Sequence, residues 1–400
     1  MVFQKQKERS KKKKAPKRRV MVTVLIVGAI ASIAVCIYLS RAPRTTSQPI
    51  YEEIYPVATD LNYEIGKIDG AIFEALYQEG ISEKDILFLT VKPRHEGDHE
   101  WEFTELMVRL SEEHPNHQFD IIVTRALSAL QPAVRIQKEE VSNTQFVYHL
   151  FALGFYTHKI RLTTEEYQKL SPARELPKIA IVVDDLGYDL EIAKSFIRLD
   201  LPLTLSVLPR ALHTASIVKE AHANGRELIL HLPMEPRGYP HLSPGPGALL
   251  KGMEEERIRM MVDDHLRSIP GVRGVNNHMG SRFTELEDKM AVVMSELKRR
   301  HLFYLDSKTS GQSVALRLAK RMGVPATSRS VFLDNDLSPK SIKFQIERLL
   351  GIARNTGYAI GICHPHKETL RCLQDSLQRL KSNARIVPAS DLAGLSNSVS

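Results

Sequence analysis

Five apolar runs in this 400-residue chain end in acids or imidazoles. The run 179–183 is followed by Asp184 and Asp185, and the run 228–230 by His231, with Glu235 four residues on. The stretch 274–277 leads to His278 and then Arg282; 303–305 leads to Asp306 and Ser307; 359–363 leads to His364 and His366. Adjacent carboxylates repel one another, and burying either unpaired is costly, so something positive is expected against Asp184 and Asp185. Carboxylates grouped with imidazoles are the donor set of zinc or a similar divalent ion. Singly, each has a plainer reading. A DD pair after a strand often caps a helix, as Asp189 would also do, His231 alone reads as a structural histidine, and Pro365 suits a turn between two histidines. His95, His99, His114, His117, His213, His222, His241, His265 and His301 fall in helices or loops away from these run ends and read as structural. The coincidence of position across five runs is what favours a metal site.

The runs 178–183, 203–208, 226–231, 273–277, 302–307, 330–334, 358–364 and 384–390 read as short strands, most of them separated by helical stretches. One such stretch, 338–357, has Ser338 as N-cap, Pro339 at the first helical position and Gly357 as its stop. Repeated βα units predict a parallel sheet, and this number within about 220 residues suits a closed or nearly closed barrel, whose active face lies at the strand C-termini.

Residues 51–162 predict a small α+β domain: helices over 64–80 and 101–114, strands over 85–93 and 119–126, and one or two strands within 145–162. Residues 163–177 read as a linker, 178–392 as the barrel and 393–400 as a tail. The net charge of +8 is concentrated in residues 1–20, with ten Lys or Arg and one acid, leaving residues 21–400 at −1. A nucleic-acid arm is one reading of that basic tail, but the uncharged stretch that follows argues against it. Residues 20–40 are uncharged and reach roughly 31 Å as a helix, the thickness of a bilayer core. The expectation is a basic cytoplasmic tail (1–19), a transmembrane signal anchor (20–40) and a linker (41–50). That places a single-pass protein in a bacterial inner membrane with most of the chain outside. Cys363 and Cys372 are left either as a disulfide or as two buried thiols.

The segments VVDDLGYD, LPLTLSVLP, LHLPMEP with GPGAL, GVNNHMGSRFT, LFYLDSKTSG, VFLDND and GICHPHKETL, in that order over residues 178–390, resemble the divergent polysaccharide deacetylase family, a remote branch of the NodB-like carbohydrate esterases. The resemblance implies an α/β fold with a distorted (β/α) barrel, preceded here by the α+β domain and the N-terminal helix. It implies Asp185 as a metal ligand, Asp184 as the base, and His364 or His366 as the general acid, with Arg282 beside them. Ordinary deacetylases complete the metal site with an H-x-x-x-H pair. Here His231 is followed at that spacing by Glu235, so either Glu235 or His278 joins Asp185 and His231. YLDSKTS replaces the usual tryptophan-bearing motif, and Asn277, Asp306 and Ser307 are candidate substrate contacts. The implied activity is hydrolysis of N- or O-acetyl groups on an envelope polysaccharide, assisted by zinc or a similar divalent ion. The competing reading is a non-catalytic module that binds a metal or a glycan.

Overall fold

Residues 61–78, 81, 85–96, 99–110, 116–142, 145–164 and 175–394 are described by the computed structural model of the chain, all within one unit that takes in residues 51–400. Two sheets organise them. The first contains β1 (Ile86–Glu96), β2 (His99–Arg109), β3 (Val134–Ser142), β4 (Gln145–Ala152) and β5 (Phe155–Thr163), in the order β1-β2-β5-β4-β3. Helices α1 (Leu61–Gln78) and α2 (Asn116–Ser128) share its core. Ile65, Ile68, Ile72 and Leu76 of α1, spaced by three and four, meet Leu106, Val108, Leu150 and Ile160 of the sheet.

Two sequence expectations exchange places here. Residues 101–114 were expected as a helix, yet His99–Arg109 is the strand β2, paired antiparallel with β1 from Glu96↔His99 to Ile86↔Val108. Trp101, Phe103, Thr104, Leu106, Met107, Val108 and Leu110 are all buried, and pairing with β1 on one side and β5 on the other outweighs the helical spacing the same residues also contain. Residues 119–126 were expected as a strand and lie in the helix α2. The buried Val123 and Leu127, four apart, show the helical face only when the window reaches beyond the apolar run.

The second sheet holds β6 (Lys178–Leu186), β7 (Thr204–Val207), β8 (Glu227–Met234), β9 (Gly274–Met279), β10 (Phe303–Asp306), β11 (Ala326–Ser328), β12 (Val331–Phe332), β13 (Tyr358–Cys363) and β14 (Arg385–Ile386). Its order is β11-β10-β9-β8-β7-β6-β13-β12, with β14 beside β6, and every pairing is parallel. The two edge strands β11 and β12 are joined through Arg329 and Ser330 alone. So short a link reaches at most about 11 Å, so the sheet has to curl until its edges approach. The connecting helices are α3 (Leu190–Ile197), α4 (Thr214–Ala223), α5 (Glu255–Ser268), α6 (Glu287–Arg299), α7 (Ala315–Met322) and α8 (Pro339–Thr356), followed by α9 (Lys367–Asp375) and α10 (Leu377–Asn383). Asp189 caps α3 and Ser338 caps α8 through their side chains.

The strands are buried on both faces, and strand parity sorts their residues. Ile179, Ile181, Val183, Val275 and Tyr304 pack in the cluster shared with the helices. Ala180, Val182, Ile229, Phe303, Leu305, Ile360 and Ile362 form a separate inner cluster. Two residues beyond Val182, Ile229, Leu305 and Ile362 come Asp184, His231, Ser307 and His364, so the inner face of the curled sheet leads into the polar residues at the strand ends.

Among the described residues no helix is long and apolar enough to cross a membrane. This overturns the placement of the chain as a single-pass inner-membrane protein. Residues 20–40, where the span was expected, lie outside the described residues, as does the tail 1–19. Cys363 and Cys372 are free, buried thiols, so the disulfide alternative falls away.

A candidate metal centre at the strand ends

In a regular strand Asp184 and Asp185 would point to opposite faces. Here β6 carries a bulge: Val183 faces Leu205 of β7, but the next pair is Leu186 with Val207, leaving one extra residue on β6. Asp185 takes the left-handed conformation at φ 56°. The bulge and that turn bring both carboxylates to His231 on β8. Asp185 Oδ1 lies 2.9 Å from His231 Nε2, and Asp184 Oδ2 lies 3.9 Å from His231 Nδ1. Met279 (φ 52°) and Lys308 (φ 51°), just past His278 and Ser307, are left-handed too. Non-glycine residues hold that conformation at a cost of about 1–2 kcal/mol each, and such strain gathers at functional sites.

His278 on β9 completes a tight group. Its Nδ1 is 2.8 Å from Asp185 Oδ1 and 3.2 Å from His231 Nε2. Ligand-capable atoms of Asp185, His231 and His278 all lie within 4.8 Å of one another, and all three residues are buried. Despite the short distances, the contacts to Asp185 lack hydrogen-bond geometry, and both its carboxylate oxygens are buried without a hydrogen-bond partner. Carboxylate oxygens crowded by imidazoles yet bonded to none are arranged for something placed among them. Among the described residues no Lys or Arg forms an ion pair with Asp184 or Asp185. The two Asp185 oxygens, with His231 Nε2 and His278 Nδ1 in hydrogen-bond contact with each other at 3.2 Å beside them, form a donor set that fits a divalent cation with open positions remaining.

Environment separates the two carboxylates. Burial dominates at Asp184 and pushes its carboxyl above the usual range, against the pull of His231 and His364. Burial also opposes the charge of Asp185, but the imidazoles of His278 and His231 outweigh it and hold its carboxyl well below the usual range. Neighbouring acids pushed apart in this way can take different roles.

Asn276 binds the group together from one residue before Asn277. Its Nδ2 donates to both oxygens of Asp184 at 2.9 Å and more weakly to Ser307 Oγ at 3.3 Å. Its Oδ1 faces His231 Nδ1 at 2.9 Å and accepts from Ser206 Oγ at 2.7 Å. Sequence reasoning missed Asn276 and named Asn277 instead, although parity along β9 places Asn276 on the same face as His278. Asn277 serves the scaffold. Its Oδ1 accepts from Tyr304 and from the Ser307 backbone, and its Nδ2 donates to Met279 O and Thr309.

His364 is buried at the end of β13, with Nδ1 2.9 Å from Asp334 Oδ1. The other Asp334 oxygen accepts from the His364 backbone and from Thr369, both at 2.7 Å, so the acid is fixed on three sides. Asp334 lies in the VFLDND segment but was not singled out, since its partner is thirty residues away. His366, half-buried at the N-cap of α9, has its ring 6.3 Å from that of His364, and burial pushes its pKa down.

The other predicted residues lie outside the Asp185 group. Glu235 Oε2 accepts from Lys251 N at 2.7 Å, and its backbone oxygen accepts from Arg282 and Phe283, so Glu235 pins the loop that follows β8. The Arg282 guanidinium is 45% exposed and 3.7 Å from Glu285. Asp306 accepts from Lys308 N and Ser313 Oγ, shaping the loop after β10. Ser307 Oγ donates to Asn277 O at 3.0 Å.

The uncharacterized protein YibQ of Escherichia coli K12 is 35% identical over 215 residues, 54% of this chain and 67% of that one. An uncharacterized protein of Haemophilus influenzae Rd is 32% identical over 233 residues, 58% of this chain and 82% of its own length. The crystal structure of the uncharacterized protein ATU2773 from Agrobacterium tumefaciens C58 superposes with a TM-score of 0.51 at 30% identity, over 55% of this chain and 91% of that chain. Residues 181–393, from the first inner strand to the end of the described chain, match the family described as divergent polysaccharide deacetylase, and the chain belongs to that family.

Proposed function

We propose that the chain is a metal-dependent hydrolase that removes acetyl groups from a polysaccharide. One observation carries the reading: Asp185, His231 and His278 converge with both Asp185 oxygens orphaned, and Asp184 is held beside them. These three residues would hold zinc or a similar divalent ion, which when bound acidifies water and polarises a carbonyl. Asp184, whose carboxyl burial holds above the usual range, accepts the proton of the attacking water. Asn276 keeps both Asp184 oxygens oriented while it does so. His364, fixed through Nδ1 by Asp334, delivers a proton to the departing nitrogen or oxygen from its other ring nitrogen.

The test is acetate release from a panel of N- and O-acetylated glycans by the zinc-loaded full chain. Release is expected, falling roughly 10²–10⁴-fold in Asp184→Asn while zinc content is kept. Zinc-loaded native chain that binds glycans but frees no acetate would replace this reading with a non-catalytic binding module.

A further inference from the structure

We infer that Asn276 is the positioning residue that makes His231 a ligand, by fixing which of its ring nitrogens carries the proton. The inference rests on reading Asp185, His231 and His278 as a metal site. A neutral imidazole has one N–H and one lone pair, and only the lone-pair nitrogen can bind a cation. The amide of Asn276 has a single sensible orientation. Its Nδ2 faces both oxygens of Asp184, which accept and cannot donate, so its Oδ1 must be the atom 2.9 Å from His231 Nδ1. Ser206 Oγ, 2.7 Å from the same Oδ1, is a further donor that agrees with this orientation. An amide oxygen only accepts, so His231 Nδ1 carries the hydrogen. In the neutral ring the lone pair then sits on Nε2, the nitrogen 2.9 Å from Asp185 Oδ1 and 3.2 Å from His278 Nδ1, and a cation bound there takes the place of any proton shared with Asp185. All of these partners are buried, so water does not compete for the positions. Asp184 thus orients the amide, and the amide orients the ligand.

Two variants separate this role from simple filling of space. Asn276→Asp keeps an oxygen opposite His231 Nδ1 and, as the protonated acid, a donor toward Asp184, whereas Asn276→Ala removes both. Each full-length variant is checked for native circular dichroism and then titrated with Zn²⁺ alone. The His231 tautomer is read separately from ¹⁵N imidazole shifts of the metal-free protein. Asn276→Ala should weaken zinc binding roughly ten- to a hundred-fold and lose the Nδ1–H signature, as outer-shell partners of metal-bound histidines do. Asn276→Asp, which has to share one proton with Asp184 because two facing carboxylates do not both stay ionised, should keep the signature and bind zinc more tightly than Asn276→Ala. Native zinc affinity and tautomer in Asn276→Ala would overturn the inference, and so would equal losses of both in the two variants. A native chain that binds no zinc would instead sink the parent reading. The tautomer measurement, made without metal, would still decide the role of Asn276.

Discussion

Two groups of acids and histidines buried among the described residues are built in opposite ways. At the seam between the sheets, Arg348 of α8 reaches Asp69 of α1 and Glu102 of β2. His158 joins them, with Nε2 3.2 Å from Asp69 and Nδ1 2.9 Å from Thr157 Oγ1. The same helix places Phe344 in the core of the first sheet and Leu349 and Leu350 in that of the second. Gly351 sits so close to the β1 backbone that a Cβ there would lie 2.7 Å from Leu89 O. This group contains its own cation. The group at the strand ends has carboxylates and imidazoles but no Lys or Arg ion pair among the described residues, and both oxygens of Asp185 lack hydrogen-bond partners. Identical residue types therefore serve structure where the positive partner is built in, and point to a ligand where it is absent.

The sharpest way to break this contrast is through stability. Arg348→Met leaves Asp69 buried without its guanidinium and should cost about 3–5 kcal/mol in urea unfolding at neutral pH. Asp184→Asn, in the metal-free chain, should cost less than about 1 kcal/mol, because relief of the buried Asp184 charge offsets the loss of one of its two bonds from Asn276. Equal destabilisation by the two would mean that the strand-end acids are structural after all.

Acid titration sharpens the same point. Burial opposes the Asp69 charge, but Arg348 and His158 outweigh it and hold its carboxyl below the ordinary value. The folded chain thus releases that proton more readily than the unfolded one. The contribution of Asp69 is full above the ordinary carboxylate pKa of about 3.9 and fades as the pH falls through the lower folded value. Asp184 has the reverse sign: its raised carboxyl lets stability fall as pH rises from the ordinary value through the folded one. Urea midpoints of the native and Asp69→Asn chains should converge below about pH 4. Curves that stay parallel would contradict the pairing. The smallest effect is expected at Glu235. Glu235→Gln should leave zinc affinity within about threefold, less than 1 kcal/mol, since Gln still accepts from Lys251 N. A loss of tenfold or more would return Glu235 to the ligand set.

Much of this was readable from residue order. Alternating apolar runs and helical stretches disclosed the parallel sheet, and the run ends disclosed Asp184, Asp185, His231, His278 and His364. Asn276 was readable in principle, because strand parity ties it to His278 and sends Asn277 to the other face. That Asp185 joins His231 came only from the family resemblance, since its position depends on a bulge and a left-handed backbone that parity alone does not reveal. Asp334 required knowing which loops meet in space. The exchanged helix and strand within 101–126 arose because short apolar segments carry both periodicities until pairing with β1 chooses one.

The central claim is that the strand-end group is completed by a cation the chain itself does not supply. Its most direct test is the metal content of the full-length protein after reconstitution with zinc, by elemental mass spectrometry, beside an Asp185→Ala, His278→Ala double variant. The account predicts about one ion per native chain and none retained by the variant. No ion in the native chain, or an ion that survives loss of both residues, would contradict it.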